Sequence, residues 1–205
     1  MVAGAILPVA IHKNKLYFLF GKENPMEDSS RGWSDFGGGC EKNETPYQTA
    51  LREGSEELTG FLGDKNTVDH KIKKSKGFYT LTHNDYHSHL FLTEYDENLP
   101  IYFNESHQFL WKRMNQKMLN DSKLFEKIEI RWFSESELKK KRHLFRSFYR
   151  EIIDKLCEEL PVIRRHMKNH IRGSNHTLSK TKKKKSPATP KKKNKTISYF
   201  FRGGR

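Results

Sequence analysis

The sequence predicts an α/β domain over residues 1–160 followed by a basic, disordered tail over residues 161–205. Three observations carry this. Short runs rich in branched and aromatic residues alternate with segments of helical periodicity. One of those segments has helix-start and helix-stop residues at its two ends. The charge is segregated: 15 of the 39 Lys and Arg fall in 161–205, where there is no Asp or Glu, so the net +14 belongs to the tail and residues 1–160 sum to −1.

The elements follow in order. Residues 3–11 and 15–20 (KLYFLF) are apolar and flank His12-Lys13-Asn14, which predicts a strand pair. Residues 21–33 are polar, with Pro25 and Gly32, and read as a loop; residues 33–36 then lead into Gly37-Gly38-Gly39. In the next helix Thr45 is the cap, Pro46 the first residue and Gln48 the partner of a capping box; Ala50, Leu51 and Leu58 give the apolar face and Gly60 the stop. Gly54 inside this helix lowers its intrinsic stability by about 1 kcal/mol relative to Ala, which points to close backbone packing. Residues 77–82 and 86–95 form a second hairpin around Asn84-Asp85, and residues 104–120 have helix-compatible spacing. Residues 127–133 (KIEIRWF) alternate as a strand. Ser134 to Glu137 open a helical stretch whose apolar positions Leu144, Phe145, Phe148, Ile152, Ile153 and Leu156 recur at three and four. Beyond about His170 the composition cannot bury enough apolar surface to offset ordering entropy.

Composition also excludes classes. No apolar run approaches the roughly 20 residues of a membrane span. The stretch AGAILPVAI is short, lacks a basic leader and is broken by Pro8, so it reads as a strand and not a signal peptide. Cys40 and Cys157 lie far apart without a CxxC spacing, which suits a reducing, intracellular compartment, cytoplasm or nucleus, and argues against a disulfide framework or a zinc site.

Residues 38–61 (GGCEKNETPYQTALREGSEELTGF) carry the chemistry. Glu53, Glu56 and Glu57 stand at i, i+3 and i+4, on one helix face with Cβ atoms about 5–6 Å apart. Like charges so close repel one another unless a cation intervenes, and a hard divalent ion such as Mg²⁺ or Mn²⁺ prefers such oxygen ligands. Arg52 stands ready to brace a carboxylate, and the Gly-rich turn leaves backbone groups open to a metal or phosphate. Taken alone, three Glu would read as a solvated acidic face. Their wider spacing changes this. Gly38, five residues, Glu44, seven residues, Arg52-Glu53, two residues and Glu56-Glu57 resemble the Nudix box, GX5EX7REUXEEXGU, of the Nudix hydrolase family. Residues 126–138 (EKIEIRWFSESEL) resemble a late strand of the same fold, and the resemblance covers roughly residues 3–160. The departures are Gly54 at the aliphatic position, a closing Gly60 one residue late, and Phe36 where a Pro often stands. The form EELTGFLG resembles Nudix proteins of large DNA viruses.

The resemblance implies an α/β/α sandwich with mixed sheets and hydrolysis of a diphosphate linked to another moiety, usually a nucleoside derivative. It implies Glu56 and Glu57 as metal ligands, Glu53 as a further ligand or the base, and Gly38 as a backbone ligand, with Glu44, Arg52 and Gly60 shaping the motif. A base elsewhere would come from Glu105, Glu126 or Glu129. The substrate could be a nucleotide derivative, a capped RNA 5′ end or a diphosphoinositol phosphate. The basic tail and the inserted segment 104–124 favour RNA decapping. A non-catalytic nucleotide- or RNA-binding module is the competing reading.

Remaining signals have plainer explanations beside functional ones. Trp33, Phe36, Tyr102 and Trp111 could stack on a base or pack inside, and Trp132 belongs to the core. His83, His87 and His89 fit a solvated strand face better than a metal site. Lys clusters 182–185 and 191–193 could address a nucleus or hold phosphate backbones, and Ser186 and Thr189, each before Pro, could be phosphorylated.

Overall fold

The computed structural model describes residues 1–25, 31–115, 117–118 and 125–181, with 170–181 described by backbone alone. The chain builds β1 (Ala3–His12), β2 (Lys15–Glu23), β3 (Trp33–Ser34), β4 (Phe36–Gly39), α1 (Pro46–Glu57), α2 (Lys65–Lys74), β5 (Phe78–His83) and β6 (Tyr86–Leu92). It continues with α3 (Leu99–Trp111), β7 (Lys127–Ser134), α4 (Glu135–Lys140), a 3₁₀ turn at Arg142–Leu144 and α5 (Tyr149–Thr181).

The seven strands form one mixed sheet with β1 at its centre. The C-terminal half of β1 pairs antiparallel with β2 (Val9 with Phe18), and its N-terminal half pairs antiparallel with β4 (Ile6 with Phe36). The other edge of β1 runs parallel to β6 from Ala3 to Val9. β2 goes on to pair with β3 and β7, and β5 closes the far edge against β6. Lys13 and Asn14, both at positive φ, make the tight first turn.

Strand alternation sends side chains to two separate cores, the sandwich expected of this class. On one face Leu7, Val9, Phe18, Phe20 and Phe133 pack with Ile152, Ile153, Leu156, Ile163 and Met167 of α5. On the other, Ile6, Ala10, Leu19, Phe36 and Trp132 pack with Ala50 of α1, Val68 and Ile72 of α2 and Phe103 of α3.

The capping box forms as expected: Thr45 Oγ1 accepts from Gln48 N, and Gln48 Oε1 from Thr45 N. Gly54 packs on β1, where an added Cβ would meet Ile6 Cδ1 at 2.3 Å. The late closing glycine is accommodated because Thr59 also takes positive φ (48°), so the exit turn is one residue longer. Several expectations change. α2 has only Val68 and Ile72 as its buried positions, and its clearest local signal is Asp64 capping Thr67 N. The helix expected over 104–120 starts earlier, at Leu99, and ends at Trp111; residues 116, 119 and 120 lie outside the described residues. The long helical stretch after Ser134 is divided, because Phe145 turns inward between α4 and α5 while Leu144 and Phe148 stay exposed.

The boundary expected at 160 falls within α5. Ile163 and Met167 beyond it are fully buried, and backbone helix continues to Thr181. The lysine clusters, Ser186 and Thr189 lie outside the described residues. His89 does not face solvent: it is buried against Tyr47 and Phe78. His83 instead pairs with Glu151 at 3.0 Å.

Two outcomes follow. Gly54→Ala gains about 1 kcal/mol of helix propensity but overpacks Ile6 by about 1–3 kcal/mol, so calorimetry should show a net fall in Tm. Burial lowers the His89 pKa from 6.5 to about 4, so the unfolded chain takes up this proton first as pH falls. The neutral ring's contribution, on the order of 2 kcal/mol, is present above pH 6.5 and lost towards pH 4. Denaturant unfolding at pH 7.5 and 4.5 should show a smaller difference in His89→Phe than in the parent.

Candidate active site

The site is built where the Gly37–Gly39 end of β4 meets the C-terminal half of α1. Arg52 organises its outer part. Nε and Nη2 each donate to a Glu44 oxygen at 3.0 Å, and Nη1 donates to Glu53 Oε1 at 2.8 Å and lies 3.6 Å from Glu56 Oε2. Thr49 Oγ1 (2.8 Å) and Glu41 N (3.1 Å) also donate to Glu44. The Arg52 hydrogen bonds are the main reason the Glu44 carboxyl titrates as low as about 2. Its stabilising effect is therefore present above pH 4.5 and lost as pH falls through about 2. Arg52 is itself held further above its usual value by Glu44.

Gly38 completes this part. A Cβ there would stand 2.5 Å from Glu53 Oε1, so only glycine lets the carboxylate lie on the loop backbone. Glu56 is the most open of the three motif carboxylates, with 51% of its side chain exposed.

Glu57 turns inward. Its side chain is 5% exposed; Oε2 accepts from Gly37 N at 2.9 Å and Oε1 lies 3.2 Å from Lys127 Nζ. Lys127, 1% exposed, also donates to Glu23 and, at 3.1 Å, to Ser34 Oγ. Arg146 Nη1 reaches the same Glu23 at 2.6 Å. Burial is the larger effect and pushes the Glu57 carboxyl up, and Lys127 pulls it only partly back. Burial also opposes the charge on Lys127, but Glu57 and Glu23 outweigh it and raise its pKa. Sequence reasoning missed Glu23, Lys127 and Arg146: an alternating KIEIRWF offers no sign that its lysine is interior.

The cations that relieve the repulsion among the motif carboxylates thus include two of the chain's own, Arg52 and Lys127. Among the described residues no three His, Cys, Asp or Glu side chains converge into a preformed metal cage.

Other candidates separate. Trp33 (6% exposed) and Phe36 (0%) are core residues, Trp33 edge-on to Phe133, and so offer no free ring face to a substrate. Gly60 lies in the turn after α1, where its N donates to Ser55 O. Glu105 is exposed on α3. Glu129 pairs with Lys22 at 3.2 Å, whereas the charge of Glu126, next to Lys127, acts on Glu57. Tyr102 is exposed. Trp111 borders a cavity of about 550 Å³ between α3 and β7, with Asn24, Asn104, Gln108, Phe125 and Glu129. Asn104 ties α3 to β7 by accepting from Ile130 N at 2.9 Å.

The NUDIX domain family model matches residues 3–156, and the chain belongs to that family. By class it is a Nudix pyrophosphohydrolase, an enzyme acting on phosphoric anhydrides. Among solved structures it is similar to a C. elegans Ap4A hydrolase in a binary complex (14% identity, 78% of this chain and 96% of that one, TM-score 0.46). It is also similar to a mutT/nudix family protein from Listeria innocua (14%, 78% and 93%, 0.42) and to the Nudix hydrolase RenU from M. smegmatis (13%, 80% and 88%, 0.43). No curated protein matches.

Arg52→Lys keeps the charge but loses the planar fork that holds Glu44 and Glu53 together. Hydrolysis should fall by roughly 10- to 100-fold, the usual cost of losing a group that orients such ligands. Thermal melting followed by circular dichroism should show a folded protein.

Proposed function

We propose that this chain is a divalent-metal-dependent pyrophosphohydrolase that cleaves the diphosphate linkage of a nucleoside diphosphate derivative, with the capped 5′ end of RNA as its substrate. The observation that carries the metal-dependent reading is Glu53 lying on the Gly38 backbone, with half-exposed Glu56 one turn further along α1. Carboxylate and peptide oxygens side by side suit a hard cation, and Gly38 leaves the space they need. Mg²⁺ or Mn²⁺ bound there would neutralise the diphosphate oxygens and lower the pKa of a water.

The chain's own residues do the rest. Arg52 fixes Glu53 against the loop, and Glu57 anchors the Gly37 amide. The 550 Å³ cavity beside Trp111 is of a size for a small-molecule group and accommodates the nucleoside. RNA is favoured among such substrates by Arg165 and Lys168 on α5 and by the lysine clusters that follow, since phosphate backbones bind such groups through counterion release.

The test is an assay with Mg²⁺ or Mn²⁺ against free nucleotides, nucleotide sugars, dinucleoside polyphosphates, a diphosphoinositol phosphate and capped RNA. Metal-dependent product is expected from capped RNA, falling roughly 100-fold or more in Glu56→Gln. Truncation after Thr181 should slow the RNA reaction and leave small substrates unaffected. Binding of nucleotide or RNA without any product would instead establish a non-catalytic module.

A further inference from the structure

Lys127 is the most deeply buried cation of the site; its ammonium donates to Glu23 and Ser34 and is ion-paired with Glu57 at 3.2 Å. Its stem crosses Gly21, where a Cβ would come within 2.9 Å of Lys127 Cγ and Cδ, so the strand below is shaped to admit it. Burying an ammonium is costly unless its partners are fixed, and here they are. Glu57 has its second oxygen on Gly37 N, and Glu23 also holds Arg146.

Formal charge divides the site into two halves. Inside, the two carboxylates of Glu23 and Glu57 face the two cations Lys127 and Arg146, and the set is neutral. Outside, the three carboxylates of Glu44, Glu53 and Glu56 face Arg52 alone, a formal charge of −2 apart from the solvent-exposed Glu41. One divalent ion balances the outer half. Among the four inner groups no charge is left to balance.

We propose that Lys127 is the permanent cation of the inner half: its ammonium holds Glu57 where an ion would otherwise be required, and exchangeable divalent ions are confined to Glu53 and Glu56. Lys127 is a positioning residue, acting on the Gly37–Gly38 turn through Glu57. The inference rests on the metal-dependent reading above and alters its ligand set, since Glu57 becomes an anchor.

The experiment is a Mn²⁺ titration of the full-length protein, free ion being read by electron paramagnetic resonance, with Lys127→Ala, Glu57→Gln and Glu56→Gln alongside. Wild type should bind one Mn²⁺ in the absence of substrate. Glu56→Gln should weaken that ion roughly 10-fold or more, and Glu57→Gln by less than about 3-fold. Lys127→Ala should bind one ion more than wild type, and Mn²⁺ should raise its Tm further than it raises that of wild type. Equal stoichiometry in folded Lys127→Ala and wild type overturns the inference, as does a loss in Glu57→Gln as large as that in Glu56→Gln. If Lys127→Ala does not fold, the comparison of the two glutamine variants decides. Absence of Mn²⁺ binding by the wild type overturns the metal-dependent reading itself, and this inference with it.

Discussion

Glu44, Glu53, Glu56 and Glu57 crowd the first helix and the loop before it, and their mutual repulsion is relieved by cations that the chain supplies from two directions. Arg52 lies on the same helix and clamps Glu44 and Glu53 from outside. Lys127 comes from the last strand and clamps Glu57 from inside. The loop conformation depends on both. Glu44 fixes the Glu41 amide, Glu57 fixes the Gly37 amide, and each can do so only while its charge is matched. A functional surface rich in carboxylates is thereby compatible with a stable fold before any external ion arrives.

The sheet explains why these groups meet. Because β2 and β7 are antiparallel, the end of β2 and the start of β7 lie side by side, which brings Glu23 beside Lys127. Because β1 pairs with β4 through its first residues, the Gly37–Gly39 segment comes to the same end. Helix α1 then packs on β1 so closely that Gly54 touches Ile6, and this presses its acidic end onto the loop. The backbone approach that weakens the helix intrinsically is what sets the height of Glu53 above Gly38.

Legibility in the sequence follows the range of each interaction. The capping box and the Glu44–Arg52–Glu53 spacing depend on residues within one turn or one loop, and both were readable; a glycine inside a helix signalled the close approach at Gly54 but not its distant partner Ile6. Lys127 was not. Its partners Glu23 and Glu57 are 104 and 70 positions away, and a lysine in an alternating strand ordinarily marks a solvated face. Trp33 and Phe36 were ambiguous for a related reason. An aromatic near a glycine loop has the same local appearance whether it lines a ligand or fills a core, and only the approach of Phe133 and β1 resolves it. α2 lacked signal because two buried positions make a faint stripe among polar residues.

The course of α5 limits what the basic segment can do at the site. Arg164 donates to Asn14 O in the turn between β1 and β2, and pairs with Glu135 just after β7. Those positions mark the end of the sheet opposite Glu23, Gly38 and Lys127, a strand length of roughly 33 Å away for the ten residues of β1. From Met167, the last residue buried in the core among the described residues, helix continues to Thr181, a further distance of roughly 21 Å at 1.5 Å per residue. The lysine clusters therefore begin more than 50 Å along this path from the carboxylates, and the 24 residues from 182 to 205 could span at most roughly 80 Å. A nucleotide bound at Glu53 and Glu56 gains little from charges so placed, because screening over a Debye length of about 8 Å removes them. A polymer is different. Under the proposed function, an RNA tens of ångströms long would occupy the acidic end with its 5′ terminus while its body lay against the basic end, and the separation of the two charges would then select for length in the substrate.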